Sequence, residues 1–293
     1  MTLPTFDLHE GDALSYLRER VPSASVDLIC SDPPYASLEK HRKTGTTTRL
    51  KVSKSSSNVW FPVIENAMFK DYFTEFLRVL KPGRHFYMFC DPETSYALVP
   101  VALALGFKWG NRLIWDKVTI GMGYHFRRTY EDILFFVRPG GEKRRLANLG
   151  VSDILRCKRL KGDALYPTEK PCQVLGTLVQ QSALPGELVL DPFCGSGSTG
   201  EAALVNGCRF LGIDITPEAV RRTRERLSKL SEGKIPAYEA PPVQEVDPEP
   251  VQEAEPPKLK VLAPPQVLRP LFGRPSDVGR GQEVVNKHLE DEA

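Results

Sequence analysis

A chain of 293 residues has room for one large α/β domain or two small ones, because single cores stop growing near roughly 250 to 300 residues. Its 39 basic and 37 acidic side chains leave a formal net charge of +2, so bulk charge neither demands nor excludes a nucleic-acid partner. The six cysteines (Cys30, Cys90, Cys157, Cys172, Cys194, Cys208) are scattered, with no CxxC pair and no His at metal spacing, and no apolar run nears the ~18 residues of a spanning helix; together with an N-terminus that lacks a basic-then-apolar leader, this predicts a reduced, cytoplasmic protein with no metal and no membrane role.

In chain order, VDLIC at 26–30 is a short apolar run that predicts a buried strand. It leads into Ser31-Asp32-Pro33-Pro34-Tyr35. Two prolines stiffen that turn and remove two backbone donors, leaving carbonyls and the Asp32 carboxylate as acceptors beside an aromatic ring. An exocyclic amine on a base needs those parts: accepting both N–H protons favours a pyramidal nitrogen whose lone pair can attack. Tyr35 can stack on an extruded base for about 1–3 kcal/mol. An Asp-Pro-Pro turn also serves purely structural ends, so the tetrapeptide alone does not decide between the two.

The loop that follows, 36–66, carries Lys40, Arg42, Lys43, Arg49, Lys51 and Lys54 close to Glu39, a composition suited to DNA phosphates or to a solvated surface loop. Phe73, Phe76, Leu77 and Leu80 then recur at helical spacing, and Pro82-Gly83 is the expected end of that helix. HFYMFC at 85–90 and ILFFV at 133–137 are two further strands. Lys143, Arg144, Arg145, Arg156, Lys158, Arg159 and Lys161 form a second basic stretch, with the same pair of readings.

LVL at 188–190 ends in Asp191, a loop holds Phe193, Gly195 and Gly197, and a helix runs on to Gly207. Glycines admit a ligand close to the backbone, and a helix N-terminus favours an anionic group. A P-loop would need Gly-Lys-Ser/Thr, which is absent, and the spacing differs from a dinucleotide fingerprint. The next strand, FLGI at 210–213, ends in Asp214, whose carboxylate is placed to accept two ribose hydroxyls or to cap the following helix. That helix starts where Thr216 can cap and Pro217 can take the first turn. From 233 to 293, prolines interleaved with acidic residues predict a disordered tail. Strands alternating with helices predict a mostly parallel sheet covered on both faces.

Asp-Pro-Pro-Tyr at 32–35 together with DPFCGSGST at 191–199 resembles the amino-methylating DNA methyltransferases. The catalytic turn comes before the cofactor loop, which is similar to their circularly permuted beta class, over nearly all of residues 5–230. The resemblance implies a Rossmann-like, S-adenosylmethionine-dependent fold of seven strands, mostly parallel with one antiparallel member. By the same resemblance Asp12, after Gly11, contacts the cofactor adenine. YPTEKP at 166–171 puts Thr168 and Lys170 near its methionine end, and RVLKPGRHFYMFC and FRRTYEDILFF also correspond, with Tyr130 where many members carry His. Residues 1–232 are then the catalytic domain, 36–66 a DNA-contacting loop and 139–166 a short target-recognition segment.

The resulting expectation is a methyltransferase acting on double-stranded DNA at N6 of adenine. Asp32, Pro33, Pro34 and Tyr35 handle the base, while Asp12, Thr168, Lys170, Asp191, Phe193, Gly195, Gly197 and Asp214 hold S-adenosylmethionine. N4 of cytosine uses the same geometry, and a non-catalytic regulator with the same fold is the alternative from another class. Dimers are frequent in the beta class, which makes a homodimer an expectation.

Overall fold

The computed structural model describes residues 5–36, 63–121, 126–160 and 169–233. Lys40, Arg42, Lys43, Arg49, Lys51, Lys54, Lys161, Thr168 and the expected tail beyond Gly233 lie outside these described residues. Among the described residues eight strands form one sheet: β1 (Phe6–Glu10), β2 (Val26–Ser31), β3 (Leu80–Cys90), β4 (Lys108–Asp116), β5 (Tyr130–Val137), β6 (Ile154–Arg156), β7 (Leu188–Asp191) and β8 (Arg209–Asp214). Their order is β1-β8-β7-β2-β3-β5-β4-β6, and β5 alone runs antiparallel to its neighbours. The carboxyl ends of the seven parallel strands therefore share one edge, where ligands of open α/β sheets bind.

Among the described residues six α-helices cover the sheet: α1 (Ala13–Arg20), α2 (Phe69–Val79), α3 (Pro92–Ala104), α4 (Cys172–Ser182), α5 (Ser198–Val205) and α6 (Pro217–Ser231). Alternation along β3 sends Phe86 and Met88 into one core with Leu17, Phe73 and Phe76. Tyr87 and Phe89 enter the other, with Leu178, Ala202 and Leu227. Gly200 has no side chain because a Cβ there would lie 2.7 Å from the Phe210 ring and 2.8 Å from Leu227, so α5 can pack this closely only with glycine at that position.

Two expectations are corrected. The sheet has eight strands and not seven, since the three residues of β6 extend the edge parallel to β4; the Trp115 indole donates to the Cys157 carbonyl at 2.8 Å and fastens them. Three residues carry no legible alternation. The second correction concerns α2, which ends at Val79, ahead of Pro82-Gly83. The Leu80 N–H still bonds Phe76, but its ψ turns to 133° and Leu80 pairs with Val26 of β2. Pro82 and Gly83 fall inside β3, where the partners of β2 jump from Leu80 to His85. Gly83 has φ 76° and donates to the Arg138 carbonyl at 2.9 Å, and a Cβ there would sit 2.0 Å from a backbone carbonyl oxygen. Sheet pairing outweighs the local stop signal.

Candidate active site

A cavity of about 620 Å³ opens at the carboxyl edge of β2, β7 and β8. Its wall includes Asp12, the Asp32 to Tyr35 turn, Phe193, Gly195, Lys170 and Asp214. Sequence positions more than 150 apart meet here because β2 and β7 are neighbours in the sheet.

The glycine loop is held by carboxylates. Asp191 accepts from the Phe193 N–H and the Ser31 hydroxyl, both at 3.0 Å, which ties the loop to the strand before the Asp32 turn. Burial pushes the Asp191 carboxyl up to about 7, against the hydrogen bonds from Thr199, Phe193 and Ser31 that favour its ionised form. Asp214 accepts from the N–H groups of Gly195 at 3.0 Å and Thr216 at 2.9 Å. Thr216 does stand at the N-cap position of α6, yet its side chain makes no capping bond. Gly197 is left-handed at φ 82°, and a Cβ on it would meet Thr223 at 2.8 Å. The Thr223 hydroxyl in turn donates to the Gly195 carbonyl at 2.8 Å.

Asp12 caps α1, accepting from Ser15 N–H at 2.8 Å, while Gly11 N–H bonds the Asp214 carbonyl at 2.9 Å. Phe193 packs on Tyr72 with centroids 5.3 Å apart. The Tyr72 phenol is pushed up to about 12 by burial and by the nearby Asp12 charge. Two carboxylates at strand ends, an aromatic pair and the start of α5 on one cavity fit an adenosine bearing a charged amino-acid tail: acceptors for ribose and adenine, apolar rings for the base, a helix N-terminus for a carboxylate.

On the facing wall, Pro34 spends its carbonyl on the Ile64 N–H at 2.7 Å, which fixes the turn, and Tyr35 is buried beside it. Burial, with Glu131 and Asp32 nearby, drives the Tyr35 phenol well above its usual range, so it stays neutral. The Asp32 carboxylate is not alone. Lys170 donates to its Oδ2 and also stands 3.4 Å from Glu131, whose other oxygen takes Lys117 at 2.5 Å. Burial raises the Asp32 pKa even though Lys170 pulls it down. For Glu131 the balance is reversed: burial acts upward, but Lys170 and Lys117 outweigh it and hold the pKa below the usual range. Burial likewise works against the Lys170 charge, and Asp32 and Glu131 more than offset it. The Phe89 and Trp115 rings flank the Lys170 ammonium at 5.5 and 6.0 Å. Sequence reading gave Lys170 to the cofactor and missed Lys117, Glu131, Trp115 and Tyr72 as cavity residues. A charged pair flanking the apolar runs of β4 and β5 was the available signal for Lys117 and Glu131.

The second basic stretch is divided by the fold. Arg156, Lys158 and Arg159 are exposed at the carboxyl end of β6, on the cavity side, and Arg159 reaches the cavity wall. Lys143, Arg144 and Arg145 follow the far end of β5, at the opposite edge, where the Arg144 N–H bonds Gly83 and its guanidinium pairs with Glu187. The second basic stretch therefore does not border the cavity as a unit: antiparallel β5 delivers the chain to the opposite edge before Lys143, and residues 146–155 bring it back to the cavity side at β6.

Among the described residues no helix is long and apolar enough to cross a membrane. A family model described as a DNA methylase of the N6/N4 methyltransferase type matches residues 26–225. The DNA adenine methyltransferase YhdJ of Escherichia coli K12 is 27% identical over 259 residues, covering 75% of this chain and 82% of its own. Two solved structures share the fold. TTHA0409 of Thermus thermophilus, described as a DNA modification methylase and complexed with S-adenosyl-L-methionine, aligns with a TM-score of 0.58 at 24% identity, covering 78% of this chain and 97% of that one. The cytosine-N4-specific PvuII DNA methyltransferase aligns at 0.59 and 15% identity, covering 79% and 93%. With the glycine loop and the Asp32 turn facing one cavity and the family model spanning most of the described fold, the chain belongs to the S-adenosylmethionine-dependent N6-adenine/N4-cytosine DNA methyltransferases.

Proposed function

We propose that the protein methylates N6 of adenine in double-stranded DNA. The observation that carries this reading is that the Asp32-Pro33-Pro34-Tyr35 turn and the glycine loop share one cavity; the preference for adenine leans on the relative named an adenine methyltransferase. S-adenosylmethionine supplies, when bound, an electrophilic sulfonium methyl. Asp12, Phe193, Gly195, Gly197 and Asp214 would hold it, with Asp191 keeping the loop in shape. Tyr35 stacks on a base turned out of the duplex. Asp32 and the Pro33 carbonyl accept the two amine protons, which directs the nitrogen lone pair at the methyl group. Once nitrogen has been methylated it must lose a proton, and Asp32 is the nearest base to receive it. Positioning and preset acceptors do most of this work. Digesting methylated DNA to deoxynucleosides and identifying the product by mass spectrometry tests the assignment: N6-methyl-2′-deoxyadenosine is expected, and N4-methyl-2′-deoxycytidine as sole product overturns it.

The DNA path in this reading crosses the carboxyl edge over Arg156, Lys158 and Arg159, next to the β4–β5 connection where Phe126 and Arg127 are exposed. The 36–66 loop, with Lys40, Arg42, Lys43, Arg49 and Lys51, belongs to the same proposed path. Neutralising Arg156, Lys158 and Arg159 together should lower DNA affinity and flatten its dependence on salt by about one unit of log-log slope for each phosphate that is no longer neutralised. The same neutralisation at Lys143 and Arg145 should change the slope far less. Equal effects of the two sets in a fluorescence-anisotropy titration would refute this path.

A further inference from the structure

Asp32 is the acceptor on which the proposed reaction turns, and in the structure Lys170 already occupies one of its oxygens. An ammonium pressed on a carboxylate makes it a weaker acceptor for an incoming amine. It also opposes the positive charge that grows on the nitrogen during methyl transfer. The same ammonium has a second carboxylate within reach, since Glu131 lies 3.4 Å from Lys170 Nζ. Glu131 sits at the start of β5, opposite Trp115 of β4, and its other oxygen is held by Lys117 at 2.5 Å. Two cations and two anions thus alternate along the wall as Asp32, Lys170, Glu131, Lys117. The Lys170 side chain is only 11% exposed, so water is a poor substitute for either carboxylate.

We propose that Lys170 is a displaceable latch on Asp32: it satisfies the half-buried carboxylate while the base pocket is empty and passes to Glu131 as the target amine arrives. Lys170 is then a positioning residue for the reaction, and Glu131 is the seat that makes its withdrawal cheap. The carboxylate remains paired at every stage, which keeps the half-buried Asp32 from standing unpartnered between turnovers. This rests on the reading of Asp32 as the amine acceptor.

The test is a suppressor experiment on the full chain with a DNA duplex containing its mapped methylation site. Glu131→Gln removes the receiving charge while keeping an acceptor for Lys117, so Lys170 stays on Asp32 and kcat should fall roughly ten-fold or more. The Kd for S-adenosylmethionine and the KM for DNA should each change by less than about three-fold. Adding Lys170→Met to Glu131→Gln takes away the latch itself and should restore most of the lost kcat, more fully as the pH is raised, because burial raises the Asp32 pKa and the ammonium that lowered it is gone. A double variant no faster than Glu131→Gln alone overturns the latch. So does a Lys170→Met single variant whose loss of turnover is matched by weaker cofactor binding, which would give the lysine to the cofactor. Should Lys170→Met lower the melting temperature sharply, Lys170→Gln takes its place in the same comparison. Asp32→Asn run in parallel separates the two levels: if it retains wild-type turnover, the acceptor role itself fails, whereas an inactive Asp32→Asn with no suppression sinks only the latch.

Discussion

Asp32→Ala should cut methyl transfer by roughly a hundred- to a thousand-fold, the scale seen when one preset electrostatic group is removed from a reacting centre, while the Kd for S-adenosylmethionine stays within a few-fold of wild type. The cofactor side of the cavity is built without Asp32: the loop is braced by Asp191 through Phe193 and Ser31 and by Asp214 through Gly195. Lys170 keeps a partner in Glu131 after the substitution, so no orphaned charge is left to disturb the fold. Calorimetry for the cofactor and transfer of a labelled methyl group to DNA separate the two quantities. Binding and activity lost together would move Asp32 from the base to the cofactor.

Arg226→Met should have the largest effect on stability, about 3–5 kcal/mol, because removing one partner from a buried ionic cluster strands the others. Arg226 on α6 pairs with Glu169 at 2.6 Å and with Glu201 at 2.5 Å, and the two carboxylate side chains are only 4% and 8% exposed. Its guanidinium also reaches the Ser196 carbonyl at 3.3 Å, so it joins the residue next to Lys170, the glycine loop and α5. A fall of roughly 6 to 20 °C in melting temperature is expected for a domain of this size. Adding Glu169→Gln and Glu201→Gln should recover part of it, since the stranded charges go too. A melting temperature within about a degree of wild type for Arg226→Met would show that the cluster contributes no net stability.

Local chemistry made much of the protein legible. Short apolar runs closed by Asp or Gly marked β2, β7 and β8, because a strand buried on both faces must be apolar along its whole length. Asp32 to Tyr35 and Gly195 and Gly197 stood out because their backbone demands, rigid acceptors in one case and a left-handed loop in the other, restrict the residue type at single positions. The resemblance to amino-methylating DNA methyltransferases rested on those stretches and agrees with the family found. What escaped was whatever depends on partners distant in sequence. β1 and β6 lie at the two edges of the sheet, where half-exposed backbone tolerates mixed sequence. The end of α2 yielded to pairing with Val26, an energy no local window contains.

The same division holds within the site. From the sequence by itself came the two reacting halves, an acceptor turn and a nucleotide loop, because each is a continuous segment with its own stereochemistry. Only the tertiary structure decided which charges they share the cavity with. It brought Lys170 from before α4 onto Asp32 after β2, set Glu131 and Lys117 beside them through the antiparallel β4–β5 pairing, and sent Lys143 to Arg145 to the opposite edge while leaving Arg156 to Arg159 at the cavity. A buried charge is tolerated only where others compensate it, and which others stand within a few ångströms is set by strand order, a property of the whole chain.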